Sequence, residues 1–477
     1  MARAAGHCAL LDNQPDPDVD RTCHTEDPIG MATLSQYQEP MKSILVIGLG
    51  ISGYSVIRHL ARQPVRLTVA DTREIPPYLN SLKENYPDVD LVTGRIPLEN
   101  LEEFDEIVAS PGIELPASVM ASKLVGDIEL FARAVEAPVI GITGSNGKST
   151  VTMLVHDMLL AAGQRVIAGG NLGTPALDLL EQERPDFYVL ELSSFQLETV
   201  HSLHLVAAVI LNISEDHLDR HKTIRAYTEA KLRIFRNAEQ SVVNCDDDLL
   251  HKASLGTLNP IGFGLQPTDQ DCEFGILEQD GMRILVHGNQ QLIREDQLSI
   301  QGDSHILNVL SGLALVYASG VKLDNSVIQA AGNFRGLPHR CQMVGEYRGI
   351  QWINDSKATN PGATRAAIMN FKKPIILIVG GQGKGADFRN LGILIEQRVR
   401  HVILIGEDAE VIDAALSEYT ERSNAFSLEQ AVDMAVKLAN SGDVVLFSPA
   451  CASYDMFESY IHRGEAFAEI VAKRVQS

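Results

Sequence analysis

The sequence predicts an α/β protein in which three units, each built on a mostly parallel, doubly wound sheet, follow one another along the chain. Three observations carry this prediction. Short apolar runs alternate with stretches of helical periodicity, and nearly every run ends in a glycine-rich or polar turn. The 477 residues, 45% of them hydrophobic, also suffice for about three domains with substantial cores.

The elements follow in order. From Ser43 the chain reads strand (SILVIG), glycine-rich turn, helix (52 to 62) and strand (RLTVAD), a βαβ unit that calls for parallel pairing. A further strand, EIVAS, ends at Ser110-Pro111-Gly112, and this first unit is placed at residues 41 to 131. The second, residues 132 to 337, opens with PVIGIT and a helix that Gly163 stops, then continues through FYVLEL and LVAAVILN. Residues 241 to 300 read as richer in β-structure, and an amphipathic helix after Asn308 closes the unit. The third, residues 338 to 477, alternates IQWIND, PGATRAAIMN, PIILIVGG, HVILIG, SLEQAVDMAVKLAN and DVVLFSP. Residues 1 to 40 lack apolar periodicity and are read as a disordered extension, in which the pairs His7-Cys8 and Cys23-His24 make a poor zinc site.

Composition excludes several classes. A formal net charge of −22 opposes attraction to nucleic acid or to an anionic membrane, so an anionic substrate must be met by a local basic cluster. The longest apolar runs fall short of the roughly 20 residues a membrane span needs, so no membrane insertion is expected. Six scattered cysteines form no disulfide framework and suit the reducing cytoplasm.

Chemistry concentrates at strand ends. In Gly144-Ser145-Asn146-Gly147-Lys148-Ser149-Thr150 a glycine-rich turn delivers a lysine and two hydroxyls to a helix N-terminus. Freed N–H groups and the helix dipole suit phosphate, Lys148 neutralises β/γ charge and Ser149 suits Mg²⁺, so ATP or a relative is the expected ligand. Ile142 stands where the standard phosphate-loop pattern has its first glycine, a shortened form of the motif. Gly48-Leu49-Gly50-Ile51-Ser52-Gly53 fits a dinucleotide fingerprint followed by Asp71, yet a UDP-linked compound satisfies the same donors. Glu191, and beyond it Asn212 to His217, end adjacent strands near Ser149 and offer oxygen ligands to Mg²⁺. By helical pattern alone Lys231 is a solvated lysine. Asn354 to Asn360 is more polar than a turn requires, whereas Gly380 to Lys384 and Ser448 to Ser453 suit either turns or a carboxylate cradle.

Taken together, TGSNGKST, VLELSSFQLE, ILNISEDHLDRH, GLPHR, WINDSKATNPGAT and SPACASYD resemble the Mur ligases of peptidoglycan synthesis in order and spacing, from about residue 43 to the end. The resemblance implies a Rossmann-like UDP-binding domain, a central P-loop ATPase-like domain and a Rossmann-like amino-acid-binding domain. It points to the branch that adds D-glutamate to the L-alanyl carboxylate of UDP-N-acetylmuramoyl-L-alanine, with ATP and Mg²⁺, in a cytoplasmic monomer. By resemblance, Gly48, Leu49, Gly50, Ile51, Ser52, Asp71, Thr72, Arg73, Ser110, Pro111, Gly112, Asn171 and Ser193 hold the UDP substrate. Residues Gly144 to Thr150, Asn308, Arg340 and Asp355 hold ATP; Ser149, Glu191, His217 and Lys231 hold metal, Lys231 as a carbamate. Lys148, His217 and Lys231 are the catalytic set, and Thr359, Lys384, Ser453, Tyr454 and Tyr460 form the D-glutamate pocket. Ser304-His305 departs from the His-Asn common in the family. The competing readings are another amino-acid-adding member of the family, an NAD-dependent oxidoreductase built on the GLGISG turn, and a nucleotide-gated scaffold without turnover.

Overall fold

The structure, a computed structural model, describes residues 41–115, 123–250, 260–268, 272–300, 302–418 and 420–475. The expectations for residues 1 to 40, including both His-Cys pairs, lie outside the described residues. Residues Lys42–Ser477 cluster as one compact unit carrying three sheets.

The first sheet contains β1 (Lys42–Ile47), β2 (Val65–Asp71), β3 (Asp90–Thr93), β4 (Glu106–Ala109) and β5 (Leu124–Val125) in the order β3-β2-β1-β4-β5. All its pairs are parallel, Ile44 and Val46 lying beside Leu67 and Val69. With β1 central, the chain leaves for opposite sides of the sheet after β1 and after β3. A crevice therefore opens beyond the carboxyl ends of β1 and β4.

The second sheet runs through β6 (Val139–Thr143), β7 (Val166–Gly170), β8 (Phe187–Glu191), β9 (Leu205–Ile210), β10 (Ala238–Asn244), β11 (Ile261–Phe263), β12 (Phe274–Gln279), β13 (Met282–His287) and β14 (Gln290–Arg294). Its order is β14-β13-β12-β11-β10-β9-β6-β8-β7. Strands β7 to β12 pair in parallel, and β6 is buried at every position, as an apolar strand covered on both faces must be. The β-rich stretch is an antiparallel meander, β12-β13-β14, whose first turn places Asp280 and Gly281 at positive φ, the geometry that lets a two-residue loop match strand twist. Helix Lys148–Ala161 packs Val151, Leu154, Val155 and Met158 into the same core as Val309, Leu310 and Leu313 of helix Asp303–Ala318. That second helix starts five residues before Asn308, so Asn308 lies within it and not ahead of it.

The third sheet holds β15 (Gln342–Tyr347), β16 (Ile350–Asn354), β17 (Ile375–Gly380), β18 (Val399–Ile405), β19 (Arg422–Asn424) and β20 (Val444–Phe447), in the order β15-β16-β20-β17-β18-β19. Only β15 at the edge is antiparallel among the described strands of this sheet. Because β16, β20 and β17 are neighbours, the loops after them share one rim.

Candidate active site

In the central sheet β6 lies between β9 and β8, with Ile142 beside Glu191 and Thr143 beside Ile210. This register delivers the loop after β6, Glu191 and the 212–217 segment to one carboxyl edge. Gly147 holds φ 83° as it opens the helix, and a Cβ there would lie 2.7 Å from Asn308 Oδ1. The glycine thus permits both the turn and the close approach of Asn308. Asn212 braces the loop, its Oδ1 accepting from Asn146 N at 2.9 Å and its Nδ2 donating to Asn146 O at 3.1 Å.

Lys148 is folded onto its own loop, donating from Nζ to Gly144 O at 2.8 Å and Ser145 O at 2.9 Å. Burial holds its pKa below the usual lysine value, against the pull of Glu191 and Asp216. Ser149 Oγ donates to Glu191 Oε2 at 2.6 Å and accepts from Arg340 Nη2 at 2.8 Å, while Asn171 Nδ2 donates to Glu191 Oε1 at 2.7 Å. A hydroxyl, a carboxylate and a guanidinium from three segments therefore meet at the helix N-terminus. Asn146, Gly147, Thr150, Asn308, Arg340 and Asp355 line a cavity of about 380 Å³ beside them.

Lys231 is not solvated. Helix Ile224–Leu232 turns Tyr227 and Lys231, one turn apart, against the phosphate loop, leaving the lysine 1% exposed. Its Nζ donates to Gly144 O at 2.9 Å and sits 4.6 Å from the Tyr227 ring centroid. Burial first, and the charge of Lys148 second, hold its pKa well below the ordinary lysine value. His217, by contrast, is half exposed at positive φ, edge-on to Phe195 and 3.7 Å from Asp216. It faces the cleft toward the third sheet.

Asp355 is buried at the end of β16, accepting from Ser448 Oγ at 2.7 Å and Cys341 N at 3.0 Å. Burial raises its pKa to about 6. Thr359 and Lys384 line a cleft of about 770 Å³ together with Asp216 and His217. Asn360 Nδ2 spans that cleft to Asp216 Oδ2 at 3.2 Å. Tyr454 lies under Lys384, 5.3 Å from Nζ, and Tyr460 under Lys357 at 3.8 Å. Ser453 is buried. Of the Ser304-His305 pair, Ser304 Oγ donates to Asn370 Oδ1 at 2.7 Å, and His305 is buried with its pKa lowered to about 4.

On the first sheet, Gly48, Gly50, Ile51, Ser52, Asp71, Thr72, Arg73, Ser110, Pro111, Gly112 and Asn171 line one cavity of about 490 Å³. Leu49 is buried and contributes its N–H to Asp71 Oδ2 at 2.7 Å. Arg73 donates twice to the Asp71 carboxylate, at 2.8 and 2.7 Å, which drives its pKa down to about 2. Ser193 caps its helix in a reciprocal pair with Gln196, which also lines the cavity.

Three residues had no sequence signal that singled them out. Lys357 lies within the polar stretch 354 to 360 with nothing to set it apart there, Tyr227 looks like an ordinary helical aromatic, and Arg463 is one of two arginines in the amphipathic helix Tyr460–Val475. Lys357 is largely buried, and its pKa falls to about 8 through burial and the charge of Arg340.

Fold and site together define a three-sheet α/β protein with a shortened phosphate loop at the centre and a cavity on either side. Family models match in the same order: Mur ligase MurD-like N-terminal domain at residues 42–131, Mur ligase middle domain at 142–316 and Mur ligase glutamate ligase domain at 339–451. The chain belongs to the Mur ligase family. It is 47% identical over 438 residues to a Pseudomonas syringae protein named UDP-N-acetylmuramoylalanine--D-glutamate ligase, covering 90% of this chain and 97% of that one. A Legionella pneumophila protein of the same name is 43% identical over 440 residues, covering 90% and 98%. Among solved structures, the MurF ligase of Thermotoga maritima in complex with ADP shares the fold, with a TM-score of 0.61 at 18% identity, covering 91% of this chain and 95% of that one.

Proposed function

We propose that the chain is an ATP-dependent acid–amino acid ligase that joins D-glutamate to the L-alanyl carboxylate of UDP-N-acetylmuramoyl-L-alanine, forming ADP and phosphate in peptidoglycan synthesis. The observation that carries this reading is the position of Ser149, held between Glu191 and Arg340 at the head of the phosphate-loop helix, beside the cavity that Asn146, Gly147 and Thr150 line. The near-full-length likeness to D-glutamate ligases supports the choice of amino acid.

A carboxylate and an amine do not condense in water without activation. The γ-phosphoryl of ATP passes to the L-alanyl carboxylate, giving an acyl phosphate and ADP; the D-glutamate amine then attacks the carbonyl carbon and phosphate leaves. The attack passes through an anionic tetrahedral intermediate, so the protein's work is positioning and charge stabilisation. Residues 144 to 150, Asn308, Arg340 and Asp355 hold ATP, with Lys148 leaving its loop carbonyls for the β/γ-phosphates. The cavity on the first sheet holds the UDP part, and Asn171 and Ser193 hold its muramoyl-alanine end. Thr359, Lys384, Ser453, Tyr454 and Tyr460 receive D-glutamate.

The oxygen-rich corner at Ser149 and Glu191 fits Mg²⁺, which takes few protein ligands and completes its shell with phosphate and water. Bound there, Mg²⁺ neutralises developing phosphoryl charge. His217 and Lys231 serve a second ion, Lys231 as a carbamate. Burial favours the neutral amine, whose nitrogen bonds to CO₂ and releases a proton.

The domains divide near residues 131 and 337, and the enzyme works as a cytoplasmic monomer serving cell-wall synthesis and cell division. Among the described residues no helix is long and apolar enough to cross a membrane. The test is ADP release by purified protein with Mg-ATP and UDP-N-acetylmuramoyl-L-alanine across D- and L-amino acids. The reading expects turnover with D-glutamate; turnover with another amino acid in its place, or none at all, contradicts it.

A further inference from the structure

Arg463 is 1% exposed in helix Tyr460–Val475, and among the described residues its guanidinium hydrogen-bonds to no carboxylate, Asp455 acting on it through charge alone. Its partners are oxygens of two loops. Nε donates to Ser356 Oγ at 3.0 Å and Nη2 to Ser356 O at 2.8 Å, in the loop after β16. Nη2 also donates to Cys451 O at 3.0 Å, and Nη1 to Ala452 O at 3.1 Å, in the loop after β20. The loop after β17 closes over the same group: a Cβ on Gly381 would lie 3.3 Å from Nη1 and 2.5 Å from Ala452 O. One buried cation thus ties together the loops that carry Thr359 and Ser453, and the loop that carries Lys384 joins them through Gln382 N, which donates to Ala452 O at 3.0 Å.

Burying a full positive charge is costly, and its pKa is lowered to about 10 chiefly by burial. A neutral side chain would fill the space more cheaply, so the fold retains a charge where a purely structural filler does not need one. The geometry shows a use for it. Ala452 O is fixed by Arg463 Nη1 and by Gln382 N at 3.0 Å. Across that planar peptide the Ser453 N–H points the opposite way, away from the guanidinium, and makes no hydrogen bond among the described residues. Ser356 Oγ, held by Nε, donates in turn to Tyr460 O at 2.8 Å.

We infer that Arg463 is a positioning residue of the second-substrate site, a group that holds the loops after β16 and β20 in register, reaches the loop after β17 through Ala452 O, and orients the Ser453 N–H toward an incoming carboxylate. The inference rests on the ligase reading, in which this rim receives D-glutamate. Arg463 touches no substrate itself and acts through the loops it holds.

The test compares Arg463→Lys, which keeps the charge but cannot span both loops, and Arg463→Met, which keeps neither, by steady-state kinetics on the full chain. Misplacing a binding loop by a fraction of an ångström raises KM for D-glutamate by about 10- to 100-fold in the lysine variant, with KM for ATP and for the UDP substrate within about twofold of wild type. The methionine variant is affected at least as strongly and in the same parameter. An unchanged KM for D-glutamate in either folded variant overturns the inference, as does a parallel rise in all three KM values, the mark of a general structural role. If the methionine variant does not fold, the lysine variant decides; loss of fold in both also overturns it. Failure of the underlying reading looks different: wild-type protein then consumes no ATP in response to D-glutamate.

Discussion

Replacing Lys148 by alanine separates chemistry from folding at the phosphate loop. The ammonium makes two hydrogen bonds to loop carbonyls, at 2.8 and 2.9 Å, on a side chain that is partly buried. Each such charge-assisted bond contributes about 1.5 to 3 kcal/mol, and the relief of desolvating a cation offsets most of it, leaving a net change of about 1 kcal/mol. In a chain of this size that moves Tm by roughly 2 to 4 °C at most. The effect on catalysis is larger. A unit charge 4 Å from a phosphoryl oxygen at a surface cleft is worth about 4 kcal/mol, and deleting one preorganised donor to a developing anion lowers kcat by about 10²- to 10³-fold. The assay is phosphate release at saturating substrates beside a thermal melt. A kcat within about tenfold of wild type refutes an electrostatic role for Lys148. Collapse of the melt shows instead that the lysine holds the loop together.

Other consequences are as specific. Lys231→Ala removes the group buried between Tyr227 and Gly144 O, and the variant is expected to be inactive and partly rescued by added formate or acetate, which replaces a carbamate's oxygens; full activity without rescue removes the carbamate. At Gly48, φ is 98° and a Cβ would meet Ser110 Oγ and Ile113 Cδ1 at 2.7 Å, so Gly48→Ala costs about 1 to 3 kcal/mol and raises KM for the UDP substrate selectively, read by denaturant melts and kinetics. Asp355, with its pKa raised to about 6, is an anion above that pH and neutral below it. The cost of its buried charge is therefore present above pH 6 and relieved as pH falls, while its power to accept hydrogen bonds from nucleotide hydroxyls is lost over the same interval. KM for ATP is expected to rise between pH 7 and 5 in the wild type and to stay flat in Asp355→Asn.

The phosphate loop was legible because its chemistry is local: a strand, two glycines, a lysine and a hydroxyl within ten residues determine both backbone and ligand. Glu191 and the 212–217 segment followed from their place at the ends of apolar strands, since parallel neighbours of β6 must end on its rim. Lys231 was illegible by pattern. A helical lysine is ordinarily solvated, and its burial depends on where the helix docks, which only the resemblance pointed to. Edge elements such as β3, β7 and β19 were missed, being short or only half-buried and so lacking a clear period. The start of helix Asp303–Ala318 was misplaced because Gly302 at φ 110° precedes it, with no side-chain cap to mark the entry. Arg463 carried no local signal at all: its partners lie 11 to 107 residues away in sequence.

The central claim is that this site activates a carboxylate by phosphoryl transfer before an amine captures it. Supplying UDP-N-acetylmuramoyl-L-alanine with ¹⁸O in the alanyl carboxylate, together with D-glutamate and Mg-ATP, tests it by mass spectrometry of the released phosphate. An acyl phosphate leaves one labelled oxygen in each phosphate released. Amide product accompanied by unlabelled phosphate contradicts the account.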